Sequence, residues 1–244
     1  MTVEEKLVKI AENTPKVYEA GKAEGIAEGK QAEYDSFWDE YQDYGKRTSY
    51  TMYDGTFAGK YWTDALFRPK YSIKPSTAYM MFRSTAITDL TREDISLDFS
   101  ECTDMQYTFA YAALLKVPPI DMSSATTTTS TFSYYKGTDL SIIASANTIF
   151  APTTFDYVEN LKNLVIEGIV ATAFNVKRSK NLTRDSIVSI INALSTTTTG
   201  LTVTFSKEAV DNAFATAEGA ADGSTSAEWL ALVATRSNWT IALA

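Results

Sequence analysis

Histidine is absent from this 244-residue chain, and cysteine occurs once, at Cys102. The first absence removes the commonest general base and the second excludes an intrachain disulfide; together they argue against a zinc site. Basic residues are in the minority. With 22 Lys and Arg against 30 Asp and Glu, the net charge is −8, a field that opposes phosphate and argues against nucleic acid. No apolar run approaches the roughly 20 residues of a membrane span, so no membrane insertion is expected. The opening "MTVEEKLVKIAENTPK" has no apolar core of a secretory signal, which predicts a soluble chain made in the cytoplasm. Catalytic signatures are missing too. There is no Gly-x-Ser-x-Gly elbow and no phosphate-cradling glycine loop. "SYYK" (133–136) matches Ser-x-x-Lys in form only, since Tyr134 belongs to a periodic column read as core. The expectation is a protein with no catalytic residues, no cofactor and no metal.

What the chain does have is a clock. "TFAY", "TFSY" and "TFDY" place Phe109, Phe132 and Phe155 23 residues apart, and Tyr111, Tyr134 and Tyr157 keep the same interval. Leu97, Ile120, Ile143 and Ile166 follow it as well, with "LDFS" answered by "IDMS". A period in the twenties with one short β-rich stretch per unit is the mark of a solenoid, whose units bury their apolar faces only by stacking. Alternation within each strand then predicts a core column of Ile120, Ile143 and Ile166, and an outward column of Asp98, Asp121, Ala144 and Glu167. Like charges one strand apart repel, so this acidic stripe is either hydrated or a binding stripe for a cation or basic partner.

Four segments follow from the patterning. Residues 1–45 read as a helical anchor or oligomerisation segment. Thr2 and Glu5 make a capping box, and Gly21, Gly25 and Gly29 fall on one helical face before Phe37, Trp38, Tyr41 and Tyr44. The glycines form either a ridge for close helix packing or a flexible polar linker, and the first reading makes these seven residues an oligomer or anchor interface. Residues 46–78, rich in aromatics, read as an N-terminal cap; 79–182 carry the repeats. In 183–244, Thr183, Ser206 and Ser226 stand as helix N-caps, and "LTVTFS" and "WTIAL" as strands.

The TFxY repeats, the run "LVIEGIVATAFNVKRSKNLTRDSIVSIINALSTTTTGLTVTFS", the terminal "NWTIALA" and the leader "VEEKLVKIAEN" together resemble BspA-type leucine-rich repeat proteins. The resemblance is greatest to versions encoded by phages and prophages of gut bacteria. It implies an α+β fold: an N-terminal helix, a leucine-rich-repeat-like β-solenoid and an α/β closing unit. It also implies a non-enzymatic virion protein of the tail, baseplate or fibre. Its partners would be other virion proteins through the leader, a host-surface ligand, and further copies of itself, a trimer being favoured. The alternative is a bacterial leucine-rich-repeat interaction or adhesion module outside any virion.

Overall fold

Each Thr-Phe-x-Tyr phrase folds as a tight turn, and in the first two the N–H groups alternate in use. The even set closes the turn on itself: Thr108 N donates to Met105 O (3.2 Å) and Ala110 N to Tyr107 O (3.1 Å). The odd set reaches the next rung: Tyr107, Phe109 and Tyr111 donate to the carbonyls of Thr129, Thr131 and Ser133, each at 2.9 Å. The Thr of the phrase is buried and ties consecutive rungs together. Thr131 Oγ1 lies 2.9 Å from both Met105 O and Thr128 O, and Thr108 Oγ1 lies 2.9 Å from Ala78 O and 2.7 Å from Met105 O. With the Thr hydroxyl and these turn N–H groups satisfied, the Phe can go inside.

The computed structural model describes residues 57–60, 62–65, 67–69, 72–216 and 222–244. The expected helical leader lies outside them. Among the described residues the phenylalanines form a continuous stack, Phe57–Phe82–Phe109–Phe132–Phe155. Centroid spacings are 5.4, 5.7, 5.5 and 5.7 Å, and the last three pairs lie within 12° of parallel. Offset stacking at this distance suits the ring quadrupoles. All five rings are essentially inaccessible to water. Trp62 and Phe67 meet Phe57 edge to face, at 5.1 Å and 4.9 Å.

Among the described residues six strands and three α-helices accompany the turns. Strands β1 (Ile120–Asp121), β2 (Asp139–Ala144) and β3 (Asn163–Gly168) form one parallel sheet in that order. Strands β4 (Phe174–Val176), β5 (Leu201–Phe205) and β6 (Trp239–Leu243) form a second. Helix α1 (Arg184–Ala193) precedes β5, and α2 (Lys207–Ala213) and α3 (Ala227–Ala234) lie between β5 and β6. Their N-caps are Thr183, Ser206 and Ser226, whose side chains accept from the N–H three residues on, as the capping pattern predicts. None of these helices is long and apolar enough to cross a membrane.

This architecture corrects the expected fold class. The described residues form a mixed α/β fold with two separate three-stranded parallel sheets, not a leucine-rich-repeat-like β-solenoid with a continuous sheet. The break has a local cause. On the far edge of β3 the N–H groups of Leu164 and Ile166 donate to the hydroxyls of Ser186 (2.8 Å) and Ser189 (3.1 Å) on α1, so a helix stands where the next strand would pair. Upstream of β1 the pairing thins to single bridges such as Ile73 with Leu97.

The strand register also departs from the 23-residue clock. Ile120 pairs with Ile142, and Ile142 with Ile166, so the buried column contains Ile142, while Ile143 faces outward beside Asp121 and Glu167. Ala144, expected outside, is buried. The middle rung is one residue shorter between its Phe and its strand. Gly137 allows the short path, because a Cβ there would overlap the Leu115 carbonyl and the Tyr135 hydroxyl. Tyr135 is itself buried, donating to Asp139 O at 3.0 Å.

Phe132 sits in the middle of the ring stack with neighbours on both faces, so truncation leaves a cavity the rungs cannot close. Phe132→Ala is expected to cost about 3–5 kcal/mol in denaturant unfolding, and an unchanged midpoint would contradict the stack.

Candidate interaction surface

The Tyr of each phrase takes the opposite side of the turn from the Phe. Tyr111, Tyr134 and Tyr157 all have left-handed backbone, with φ of 57°, 60° and 58°. That conformation costs a non-glycine residue roughly 1–2 kcal/mol, and here it recurs two residues after the Phe in four successive rungs, at Ser84 as well as at the three tyrosines. It turns the rings out of the core. Tyr111 and Tyr157 are 50% and 41% exposed, and Tyr134 is half-buried between them. The rings stack at 4.7 Å and 4.5 Å, within 19° and 11° of parallel. Tyr134 was expected in a core column; it belongs to this outer one. Burial between its neighbours, then the proximity of Tyr157, Tyr111, Asp156 and Glu159, raises the pKa of its phenol, which therefore stays a proton donor.

A guanidinium closes each end of the ladder. The Arg83 guanidinium carbon lies 6.0 Å from the centroid of Tyr111 and 5.5 Å from that of Tyr107, and Arg178 lies 5.2 Å from that of Tyr157. Tyr79 meets Tyr107 edge to face at 6.3 Å, extending the patch. The order along the surface is Arg83, Tyr111, Tyr134, Tyr157, Arg178.

The other arginines of the described residues are engaged. Arg68 pairs with Asp94 at 2.7 Å, Arg92 with Asp94 at 3.2 Å, and Arg184 with Glu228. Arg236 donates to the carbonyls of Leu194 (3.0 Å) and Asn192 (2.8 Å) at the end of α1. Among them only the side chains of Arg83 and Arg178 have no carboxylate or carbonyl partner; the one side-chain hydrogen bond of Arg83 is to the Met80 sulfur, at 3.4 Å. The tyrosine period was legible in the sequence, but Tyr gives no sign of left-handed backbone, and nothing local marked the two arginines.

The acidic stripe fares differently. Asp98 is used within its own neighbourhood: its carboxylate accepts from Ser100 Oγ (2.6 Å) and N (3.1 Å) and pairs with Lys74 at 2.9 Å. These contacts, the Ser100 hydroxyl first and Lys74 next, hold its pKa at about 2. Asp121 accepts from Ser123 N at 2.9 Å, and Ile143 separates it from Glu167, which is exposed on β3. The structure does not bring the three acids together, and among the described residues no group of three His, Cys, Asp or Glu could hold a metal ion. Cys102 is buried, donating to Asp104 O at 3.3 Å, and burial pushes its thiol up to about 12, so it is no nucleophile. Gly21, Gly25, Gly29, Phe37, Trp38, Tyr41 and Tyr44 lie outside the described residues.

Two outcomes follow. Because the folded-state pKa of Asp98 is depressed, its contribution is present above the unfolded value near 4 and lost as pH falls through about 2. Asp98→Asn is expected to lower Tm at pH 7, and the gap from the parent should close on acidification to pH 2. At position 134, Gly relieves the left-handed backbone and Ala does not, so Tyr134→Gly should be the more stable of the two by about 1 kcal/mol. The reverse order in urea melts would show that the ladder is not held in this conformation.

No protein-family model, no curated protein and no solved structure matches this chain.

Proposed function

We propose that the chain is a non-enzymatic binding scaffold that forms part of a phage particle, as a tail, baseplate or fibre component facing a ligand on the host surface. The observation that carries the binding role is the outer tyrosine ladder. Three successive rungs each place a tyrosine on one outer face, where the rings stack and Tyr111 and Tyr157 stand well exposed. A contiguous exposed aromatic patch of this kind marks an interaction site. Tyr and Arg are also the residues that dominate contact energies at interfaces, because they offer large, rigid surface with a polar end.

The particle role is supported by the resemblance of the repeats and the leader to proteins encoded in phage and prophage genomes. On this reading residues 1–45 attach the scaffold to neighbouring virion proteins or to further copies of the chain, with Gly25 at the centre of the contact. The stacked turns suit such a station, since their main-chain bonds and buried rings hold a surface rigidly without a disulfide.

The test is protein composition. Particles purified after induction of the encoding prophage should contain the chain in stoichiometric amount by mass spectrometry, and a Gly25→Leu variant should be lost from them. Particles that assemble and adsorb without any of the chain would place it outside the virion, as a bacterial interaction module.

A further inference from the structure

The tyrosine ladder has a definite chemical polarity. In its middle the ring faces are closed by one another, and at its ends the guanidiniums cover them. What remains for a partner is the positive rim of each ring, the phenolic O–H groups and the donors of Arg83 and Arg178. This surface is made of donors. It cannot stack a nucleobase, which needs an open ring face, and it suits a ligand rich in acceptors.

Charge narrows the class. In a chain of net charge −8, the two arginines without a carboxylate or carbonyl partner stand at the two ends of the ladder. Asp156 and Glu159 lie close enough to the middle to raise the Tyr134 pKa. A ligand with an anion at every repeat would meet those carboxylates, whereas one with separated anions can meet each arginine and pass the middle neutral. Spacing narrows it again. The rings repeat at 4.7 and 4.5 Å, whereas an extended peptide presents same-side groups about 6.7 Å apart. The sugars of an extended polysaccharide advance by close to one rung each.

We propose that the surface Arg83–Tyr111–Tyr134–Tyr157–Arg178 binds a linear glycan of intermittent acidity. Its carboxylate, sulfate or phosphate groups meet the two guanidiniums, and neutral sugars between them accept hydrogen bonds from the phenols. The inference rests on the binding role proposed above and names the ligand class of the same surface.

Isothermal calorimetry on the full chain at low ionic strength tests it, with fragments of deacylated gellan as the probe, since these carry one carboxylate in every four sugars and the two arginines stand four steps apart. Dextran of matched length, heparin fragments and poly-L-glutamate are the comparisons. Gellan fragments should bind saturably and dextran should not. The double variant Arg83→Gln/Arg178→Gln should weaken binding by about tenfold or more, and Tyr134→Phe, which keeps the stack and loses one hydroxyl, by a few-fold. Tm should be unchanged in both variants. If poly-L-glutamate or heparin binds as tightly as gellan, the surface reads charge or peptide and the assignment is overturned. It is equally overturned if dextran matches gellan, if no probe binds, or if the arginine variant binds like the parent. None of these results bears on the presence of the chain in particles, which is measured separately; absence from particles with glycan binding intact would remove only the virion role.

Discussion

The hydrogen bond from alternate turn N–H groups to the next rung is the constraint on which the rest of the structure depends. It fixes the distance between successive Thr-Phe-x-Tyr turns, and with it the spacing of every column the turns carry. To aim those N–H groups along the stack, the backbone enters the left-handed region two residues after the Phe. The same twist that sends Phe109, Phe132 and Phe155 inward sends Tyr111, Tyr134 and Tyr157 outward. Core and surface are thus two sides of one backbone choice, and the buried Thr hydroxyls make that choice affordable by satisfying carbonyls that would otherwise face apolar rings.

The legible and illegible parts of this fold divide along physical lines. The buried phenylalanine column was readable because burial demands one residue type at one interval. The caps at Thr183, Ser206 and Ser226 were readable because a side-chain oxygen before an amphipathic run has few other uses. The register of β2 was not, since "SIIAS" offers two adjacent isoleucines and only the shortened path past Gly137 selects Ile142 for the core. Nor was the division into two sheets. It turns on two hydroxyls of α1, Ser186 and Ser189, standing in for a strand's carbonyls, and serine in a helix gives no hint of that role. For the candidate site, the tyrosines were visible as a repeat, but their side of the backbone and their arginine neighbours were not.

The carboxyl-terminal part is bound to the body by directed polar contacts rather than by more stacking. Arg236 caps the free carbonyls at the end of α1, and Trp239 Nε1 and Asn238 Nδ2 both donate to Ser195 O at 2.9 Å. Cationic donors at a helix carboxyl end also answer the helix dipole. Lys207 and Asp211 pair one turn apart on α2, and Asp211 in turn accepts from Ser224 N at 3.1 Å, fastening the short 3₁₀ turn Gly223–Thr225. Charge in this region is used to join elements.

Ending the first sheet on serine hydroxyls has an evolutionary consequence. A helix that caps β3 through side chains makes no demand on how many rungs precede it. Duplication or loss of one 23-residue unit before it would therefore lengthen or shorten the stack while leaving that closure intact. Each such event would move Arg83 and Arg178 apart or together by one rung and add or remove one phenol, so that a family of these proteins could differ from one another as rulers of different length.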